Sequence, residues 1–342
     1  MKKSLILSIV SISLLFINIG ASEPVELTDL VRPSTFLVNY DKVYVLEGAT
    51  IYVYSLKDFK LLKKFGKAGE GPKEFKYNAN DGRPLSMSFF KGKLIVNSTN
   101  RMTYFDPDGN YITEKKVTVD RLLFPVNGKF LGIGPTMGEK NKQYIGFTIY
   151  GDNFKSADVV FLSDFEMNNP SAFVLPITSF TYNPVYKNKI YINSSSEKFR
   201  IKVFNNNGKE EYQIKKDYPG IKIPASFESE TLEFFRTHPV FKNNYEMLKK
   251  ILRIREYYPP IRDLQIVDGH IYVITYKRKG DLWECIKLDL KGSEKGKTFV
   301  ALDEYEYFSF YPILYSVYNG KVYSLVEDED DEVWKIHVTD FK

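Results

Sequence analysis

The chain has 342 residues, 43% of them hydrophobic, which is enough for one large all-β domain with its own core. Its 48 basic and 43 acidic residues are interspersed and leave a net charge of +5, so it lacks the concentrated basic stripe of a nucleic-acid binder. With 25 Tyr and 26 Phe against 2 Trp, the composition favours pleated, half-buried surfaces and therefore β-structure.

The first element reads as an export signal. Lys2 and Lys3 precede an apolar run from Leu5 to Ile19, and the small residues Gly20, Ala21 and Ser22 lead into Glu23, the order of a signal peptide and its cleavage site. A membrane anchor is the alternative, but the run is shorter than the ~20 apolar residues a spanning helix needs, and no lysine or arginine cluster stops it. The expectation is a signal peptide over 1–22, cleaved after Ala21 or Ser22. A mature domain over 23–342 then has no transmembrane segment and resides in the periplasm or outside the cell, as a monomer. No cysteine lies near the boundary to carry a lipid. Cys285 is the one cysteine, so no intramolecular disulfide forms. Its alternating setting, "LWECIKLDL", predicts a small core hydrophobe.

Along the rest of the chain one phrase recurs: a turn residue, then Lys or His, then an apolar–aromatic run. It occurs as "DKVYVLEG", "GKLIVNS", "GKFLGIG", "NKIYINS", "GHIYVIT" and "GKVYSLV", anchored at Lys42, Lys93, Lys129, Lys189, His270 and Lys321. Each phrase is a tight turn feeding a strand. An apolar segment precedes each one, such as "LSMSFF", "IRDLQIV" or "ILYSVY". A second strand ending in a polar turn follows most of them, as in "RMTYFDPDGN" and "RIKVFNNNGK". Often a fourth strand comes next, such as "KLLKKF". Four antiparallel strands per unit of roughly 40–50 residues is the grammar of a β-propeller blade. The expected fold is an all-β, six-bladed propeller. A β-sandwich is the rival, and it has no need of the same phrase six times. The last unit ends at the C-terminus, so "PVELTDLV" (Pro24 to Val31) is the candidate to close the ring and remove its open edges.

Between the first two units lies "FGKAGEGPKEF". A phosphate loop needs a helix after its glycines; here Pro72 follows Gly71 and no helical pattern comes after, so the stretch is an inter-blade connection. Its residues Gly66, Gly69, Gly71, Pro72 and Phe75 resemble the G-x-x-G-x-G-P-x-x-F connection of NHL-type propellers. With "YYPPIRDLQIVDGHIYVITY", the chain is similar to exported bacterial "6-bladed beta-propeller" proteins of uncharacterised role. The resemblance runs from about Glu26 to the end. It implies the fold and is poor in function, since propellers host binding modules and enzymes alike.

The segment from Ser226 to Pro260 breaks the β texture. Leu232, Phe235, Met247, Leu248, Ile251 and Leu252 recur at helical spacing. Ser226 suits a helix start, Pro239 divides the segment in two, and Pro259 and Pro260 end it. A helical insertion over about 226–256 is expected between blades 4 and 5, packing its apolar face on the propeller and forming a lid that shapes a site near the axis.

No catalytic set converges in the sequence. His238, His270 and His337 share no ligand spacing. The acidic run Glu327 to Glu332 reads as a hairpin loop, although acidic oxygens suit calcium. "DPDGN" at Asp106 is sufficient as a turn. Asn97 and Asn193 begin glycosylation acceptor triplets, discounted here. The leading expectation is therefore a non-enzymatic, cofactor-free binding module presenting one face and its axial pocket to a peptide, glycan or protein partner. The alternatives are a metal-dependent propeller hydrolase or lyase, with an axial divalent cation drawing on Asp41, Asp263 and Glu284, and a structural role in the envelope.

Overall fold

The computed structural model describes residues 23–341 apart from 72, 78–84, 120–121, 156, 177–180, 182, 240, 304–312 and 329. Among them, six four-stranded antiparallel sheets succeed one another along the chain. Blade 1 comprises Pro33–Asn39, Lys42–Glu47, Thr50–Ser55 and Leu61–Phe65, called strands a to d from the axis outward. Strand a is Ser86–Phe90 in blade 2, Leu122–Val126 in blade 3, Val185–Tyr186 in blade 4, Asp263–Val267 in blade 5 and Tyr315–Tyr318 in blade 6. The fold is a six-bladed propeller, as the repeat predicts. Lys42, Lys93, Lys129, Lys189, His270 and Lys321 each open a strand b.

The a–b turns explain the phrase. Pairs such as Asn127 (φ 44°) with Gly128 (φ 79°), and Asp268 (φ 49°) with Gly269 (φ 75°), are both left-handed. Consecutive left-handed residues make the two-residue hairpin turn whose twist matches the flanking strands. The four strands alternate in direction, so a–b and c–d turns share one face of the disc, the turn face. The b–c turns and the connections between blades share the other, the connection face.

After its first residue each strand b runs through four buried positions, mostly apolar, because both of its sides are covered there. Val43 and Val45 face the seam with blade 6, while Tyr44 and Leu46 face the seam with blade 2. Six hydrophobic clusters fill the six seams between neighbouring blades. The c–d turns lock the seams on the turn face. Tyr44 donates its hydroxyl to the Pro107 carbonyl (2.6 Å), and Tyr212 does the same to Leu290 (2.9 Å). Lys42 pairs with Asp108 at 2.9 Å, so the lysine of the phrase also staples one blade to the next. Turn glycines make the fit possible: a Cβ on Gly292 (φ 95°) would lie 2.5 Å from Ile214 of the preceding blade.

Blade 6 takes its outer strand from the other end of the chain. Val25–Leu27 pairs antiparallel with Val333–Asp340, Val25 opposite Ile336 and Leu27 opposite Trp334. Leu27 and Leu30 are buried in the seam between blades 6 and 1. Trp334 Nε1 donates to the Val31 carbonyl (3.2 Å). Closure by "PVELTDLV" is thus observed, through its first half.

The insertion between blades 4 and 5 holds two short helices, α1 (Ser226–Thr237) and α2 (Tyr245–Ile251), divided at Pro239 as expected. Its helical extent is shorter than 226–256. Leu252–Ile254 leaves the helix and pairs in parallel with Phe173–Leu175. Leu252 is buried in that role, and Met247 is 53% exposed instead of facing the core. Phe227, Phe235 and Leu248 supply the buried face, against Phe165, Leu175 and Ile223. The insertion joins strand d of blade 4 to strand a of blade 5, so it sits on the connection face.

Candidate functional site: the axial cavity

Strand a is the inner edge of every blade, and edge backbone groups need partners. Side chains of neighbouring blades supply several. Ser316 Oγ of blade 6 accepts the Val38 N–H of blade 1 (2.9 Å). The Gln265 amide of blade 5 bridges to blade 6, donating to the Tyr315 carbonyl (2.9 Å) and accepting from the Val317 N–H (3.1 Å). Asn97 donates to the Leu123 carbonyl (3.2 Å), and Asn193, at the same position of its own strand b, donates to the Ile261 carbonyl (3.5 Å). Both asparagines are more than nine-tenths buried, which leaves no room for a glycan on either in the folded chain.

Toward the turn face the inner strands part around a cavity of about 290 Å³. Every blade lines it, through residues 37–39, 88–90, 124–125, 183 with 185–186, 265–268 and 316–318. Its walls are aliphatic and aromatic, with the amides of Asn39, Asn183 and Gln265 and the hydroxyls of Ser88 and Ser316. Asp268 is the charged residue among the described lining residues, and it is exposed at the mouth. The rings at the mouth are held in place. Tyr186 accepts the Gly269 N–H (2.7 Å), and Tyr318 donates to Asp41 Oδ1 (3.2 Å).

The two walls differ in what they leave unused. On the blade 5 and 6 side, Gln265 and Ser316 are occupied bridging inner strands. On the blade 2 side, Ser88 is 3% exposed and its hydroxyl has no hydrogen-bond partner. Two residues earlier in the same alternation, Ser86 of blade 2 and Thr35 of blade 1 also hold buried, unpartnered hydroxyls. A buried polar group without a partner is costly, but Ser86 and Thr35 do not line the cavity and the Ser88 hydroxyl is closed off from it.

The structure scatters the other candidates. Asp41 is exposed in the a–b turn of blade 1. Asp263 lies on an inner strand, 4% exposed and nearer the connection face; burial pushes its carboxyl up to about 7, despite the Leu264 N–H at 2.7 Å and nearby Arg262. Glu284 is buried between blades 4 and 5. Burial alone would raise its carboxyl, but hydrogen bonds from Tyr218 (2.7 Å) and Thr275 (3.0 Å), with Lys297 and Lys277 beside it, hold it below the usual range. These three are not brought together. His238 caps α1, His270 begins strand b of blade 5, and His337 lies in strand c of blade 6, where burial and Lys335 lower it. Cys285 is buried in the seam between blades 5 and 6, and burial pushes its thiol up. Among the described residues no three His, Cys, Asp or Glu side chains are grouped to hold a metal ion.

The remaining motifs are tied into the frame. Asp106 Oδ1 accepts the N–H groups of Asp108 (2.9 Å) and Asn110 (2.8 Å), closing a c–d turn. Asp328, in the acidic hairpin, pairs with Lys335 at 2.6 Å, which lowers its carboxyl. In the glycine-rich connection Phe75 is wholly buried between blades 1 and 2. Gly66 (φ 86°) leaves no room for a Cβ beside the Phe75 ring. Glu74 accepts the Gly71 N–H (2.8 Å), and Arg101 donates to the Gly71 (2.8 Å) and Glu70 (2.9 Å) carbonyls. Gly69 takes φ 158°, and Pro72 lies outside the described residues, as does the predicted signal peptide.

Sequence reading missed Ser88, Gln265 and Ser316. The signal was present: each is a polar residue in the middle of an apolar strand a, in "LSMSFF", "IRDLQIV" and "ILYSVY".

Comparison with known proteins adds little beyond the fold. No family model matches the chain, and no curated protein matches it in sequence. Among solved structures it is similar to the Pan2 WD40 domain of Neurospora crassa, at 9% identity over 90% of this chain and 89% of that one, with a TM-score of 0.41. It is also similar to Hsv2 of Kluyvelomyces marxianus (8%, covering 89% and 83%, TM-score 0.36). The N-terminal domain of Nup159 is similar at 12% identity, covering 95% of each chain, with a TM-score of 0.36. Among the described residues no helix is long and apolar enough to cross a membrane.

Proposed function

We propose that this chain is an exported binding module that presents its turn face and axial cavity to a peptide, glycan or protein partner. The observation that carries the reading is the cavity itself: all six blades contribute to its wall, and its polar groups are amides and hydroxyls suited to holding a ligand. Its chemistry is that of recognition, with an apolar body and a few placed polar groups. The reading invokes no cofactor. Export rests on the Lys2–Lys3 start, the apolar run and the small-residue boundary, and N-terminal sequencing of envelope or culture-fluid protein should find a mature end near Ser22 or Glu23.

The test of binding is thermal. Panels of oligosaccharides and short peptides are screened for compounds that raise the melting temperature of the wild-type chain but not of Ser88→Phe, which adds bulk at a residue of the cavity's lining. A ligand at a hundred times its Kd stabilises by about 2.7 kcal/mol, well within reach of the method. A ligand that raises both proteins equally would place recognition elsewhere, and no response to either panel would count against a binding role for the cavity.

A further inference from the structure

Resting on that reading, we infer that the mouth of the axial cavity takes a short peptide with both ends free, its carboxylate toward blades 2 and 4 and its ammonium toward blades 5 and 1. A pattern in the a–b turns leads there. These turns ring the mouth, one from each blade, and each contributes an exposed residue. Blades 2, 3 and 4 bring Lys91, Asn127 and Lys187, and blades 5, 6 and 1 bring Asp268, Asn319 and Asp41. One half of the rim is cationic and the other anionic. The inner strands of successive blades are neighbours and the sixth meets the first, so opposite blades are three apart. Lys91 therefore stands across the axis from Asp268, Lys187 from Asp41 and Asn127 from Asn319.

These charges lie at the cavity and are unspent. The Lys91 ammonium is 5.4 Å from the centre of the Phe90 ring, the Lys187 ammonium 5.4 Å from that of Tyr186, and both rings line the cavity. Asp268 lines it directly, and Asp41 accepts the hydroxyl of Tyr318, another lining residue (3.2 Å). The lysines one step farther out are neutralised: Lys42 pairs with Asp108, Lys189 with Glu211 and Lys321 with Asp340. Among the described residues, the four charges of the rim are in no ion pair.

A mouth divided in this way selects by sign. Phosphate or sulfate would meet two lysines and, across the axis, two carboxylates. A polyamine would meet the reverse, and a neutral sugar would leave all four charges unused. A zwitterion answers both sides. At neutral pH a peptide with free ends is one, because its α-carboxyl has lost a proton and its α-amino group keeps one. A single amino acid holds both charges on one carbon and cannot face both sides at once; about two to four residues, at ~3.3–3.6 Å each, can. The cavity, about 290 Å³ and just below the ~300–1,000 Å³ of sites for drug-sized ligands, suits that length. Half-buried Leu37, Phe89 and Val185 in its lining give apolar side chains a surface.

The experiment is titration calorimetry on the full mature chain. The probes are tripeptides of alanine and leucine in four forms: both ends free, N-acetylated, C-amidated and blocked at both ends. Inorganic phosphate and spermidine are the single-sign controls. Blocking either end should weaken binding about threefold, the size of an exposed ion pair, and salt at about 0.5 M should erase the difference. In the double variant Lys91→Gln with Lys187→Gln, amidation should no longer matter while acetylation still does. In Asp41→Asn with Asp268→Asn the reverse should hold. Circular dichroism melts establish that both variants are folded, and they should match wild type, since all four residues are exposed. Equal affinity for all four forms, or a sensitivity to amidation that survives loss of both lysines, would overturn the inference. Binding of phosphate or spermidine in place of the peptides would overturn it too. No peptide binding, with sugars still raising the melting temperature of wild type and not of Ser88→Phe, would overturn it and leave the binding module standing. No response to peptides or sugars would remove both.

Discussion

The two faces of the disc are made by the same six blades, yet they are built differently. On the turn face the hairpins between strands a and b are two residues long, left-handed at both positions, and nearly interchangeable from blade to blade. On the connection face the links vary from a few residues to the 47-residue stretch between Lys215 and Asp263, which carries α1, α2 and a parallel strand. The regular face surrounds the cavity, and the irregular face carries the insertion. Regularity is what a ring of converging strands requires, because one misplaced turn would break the axial wall. The connections face no such constraint, and insertions there leave the blade ladders intact.

The expected effects rank accordingly. The largest concerns the seam that closes the ring. A chain starting at Arg32 loses Val25–Leu27 and uncovers the edge of Val333–Asp340 together with a core cluster. It should aggregate or lose cooperative melting altogether; an unchanged melting curve would break the account of closure.

Next comes the insertion. Replacing residues 226–251 with a short Gly/Ser bridge uncovers Phe165, Leu175 and Ile223, at a cost of about 5 kcal/mol. Circular dichroism should lose its helical component while a cooperative β transition remains. Complete failure to fold would make the insertion part of the frame. The helices are no lid over this cavity: they lie at the opposite end of the axis from it, and no residue of theirs lines it.

Two buried carboxylates give opposite pH signatures. Asp263 titrates near 7 in the folded chain and near 4 unfolded. Between those values the folded chain holds a proton that the unfolded chain has released, so stability falls as pH rises through the window. Asp263→Asn should abolish that fall, worth up to about 4 kcal/mol. Glu284 is depressed by its hydrogen bonds, so its contribution is present above the unfolded value and lost as pH falls through the folded one. Melting temperatures from pH 3 to 8 for wild type, Asp263→Asn and Glu284→Gln separate the two, and identical curves would remove both assignments.

The smallest pair sharpens the comparison within the turn face itself. Gly292→Ala meets Ile214 and keeps φ 95°, and should cost about 2–3 kcal/mol. Gly128→Ala keeps φ 79° with open space around it, and should cost about 1 kcal/mol, the backbone strain alone. Equal losses in chemical denaturation would show that packing at the c–d turns does not lock the seams.

The sequence made the turn face readable because its demands are local. A left-handed pair followed by a run buried on both sides can be written only in a few residue types, and it was written six times. The insertion was readable as helix, but its end was not. Leu252 continues the helical spacing, and only the distant strand Phe173–Leu175 turns it into a β partner. The site was the least legible. Ser88, Gln265 and Ser316 stand at matching places in three strands, and nothing local says that two of them are consumed by neighbouring backbone while one is not. Asp263 and Glu284 share a residue class and a degree of burial; burial raises Asp263, while Tyr218, Thr275, Lys297 and Lys277 hold Glu284 down, and of these Tyr218 is brought to it only by the fold.

The central claim, that recognition belongs to the turn face and not to the insertion, is tested most directly by one side-by-side titration. Affinity for a ligand found by the melting screen is measured by calorimetry for wild type, for the chain lacking residues 226–251, and for Ser88→Phe. The account predicts that the deletion keeps the wild-type affinity and that Ser88→Phe loses it. Binding lost in the deletion and kept in Ser88→Phe would contradict it.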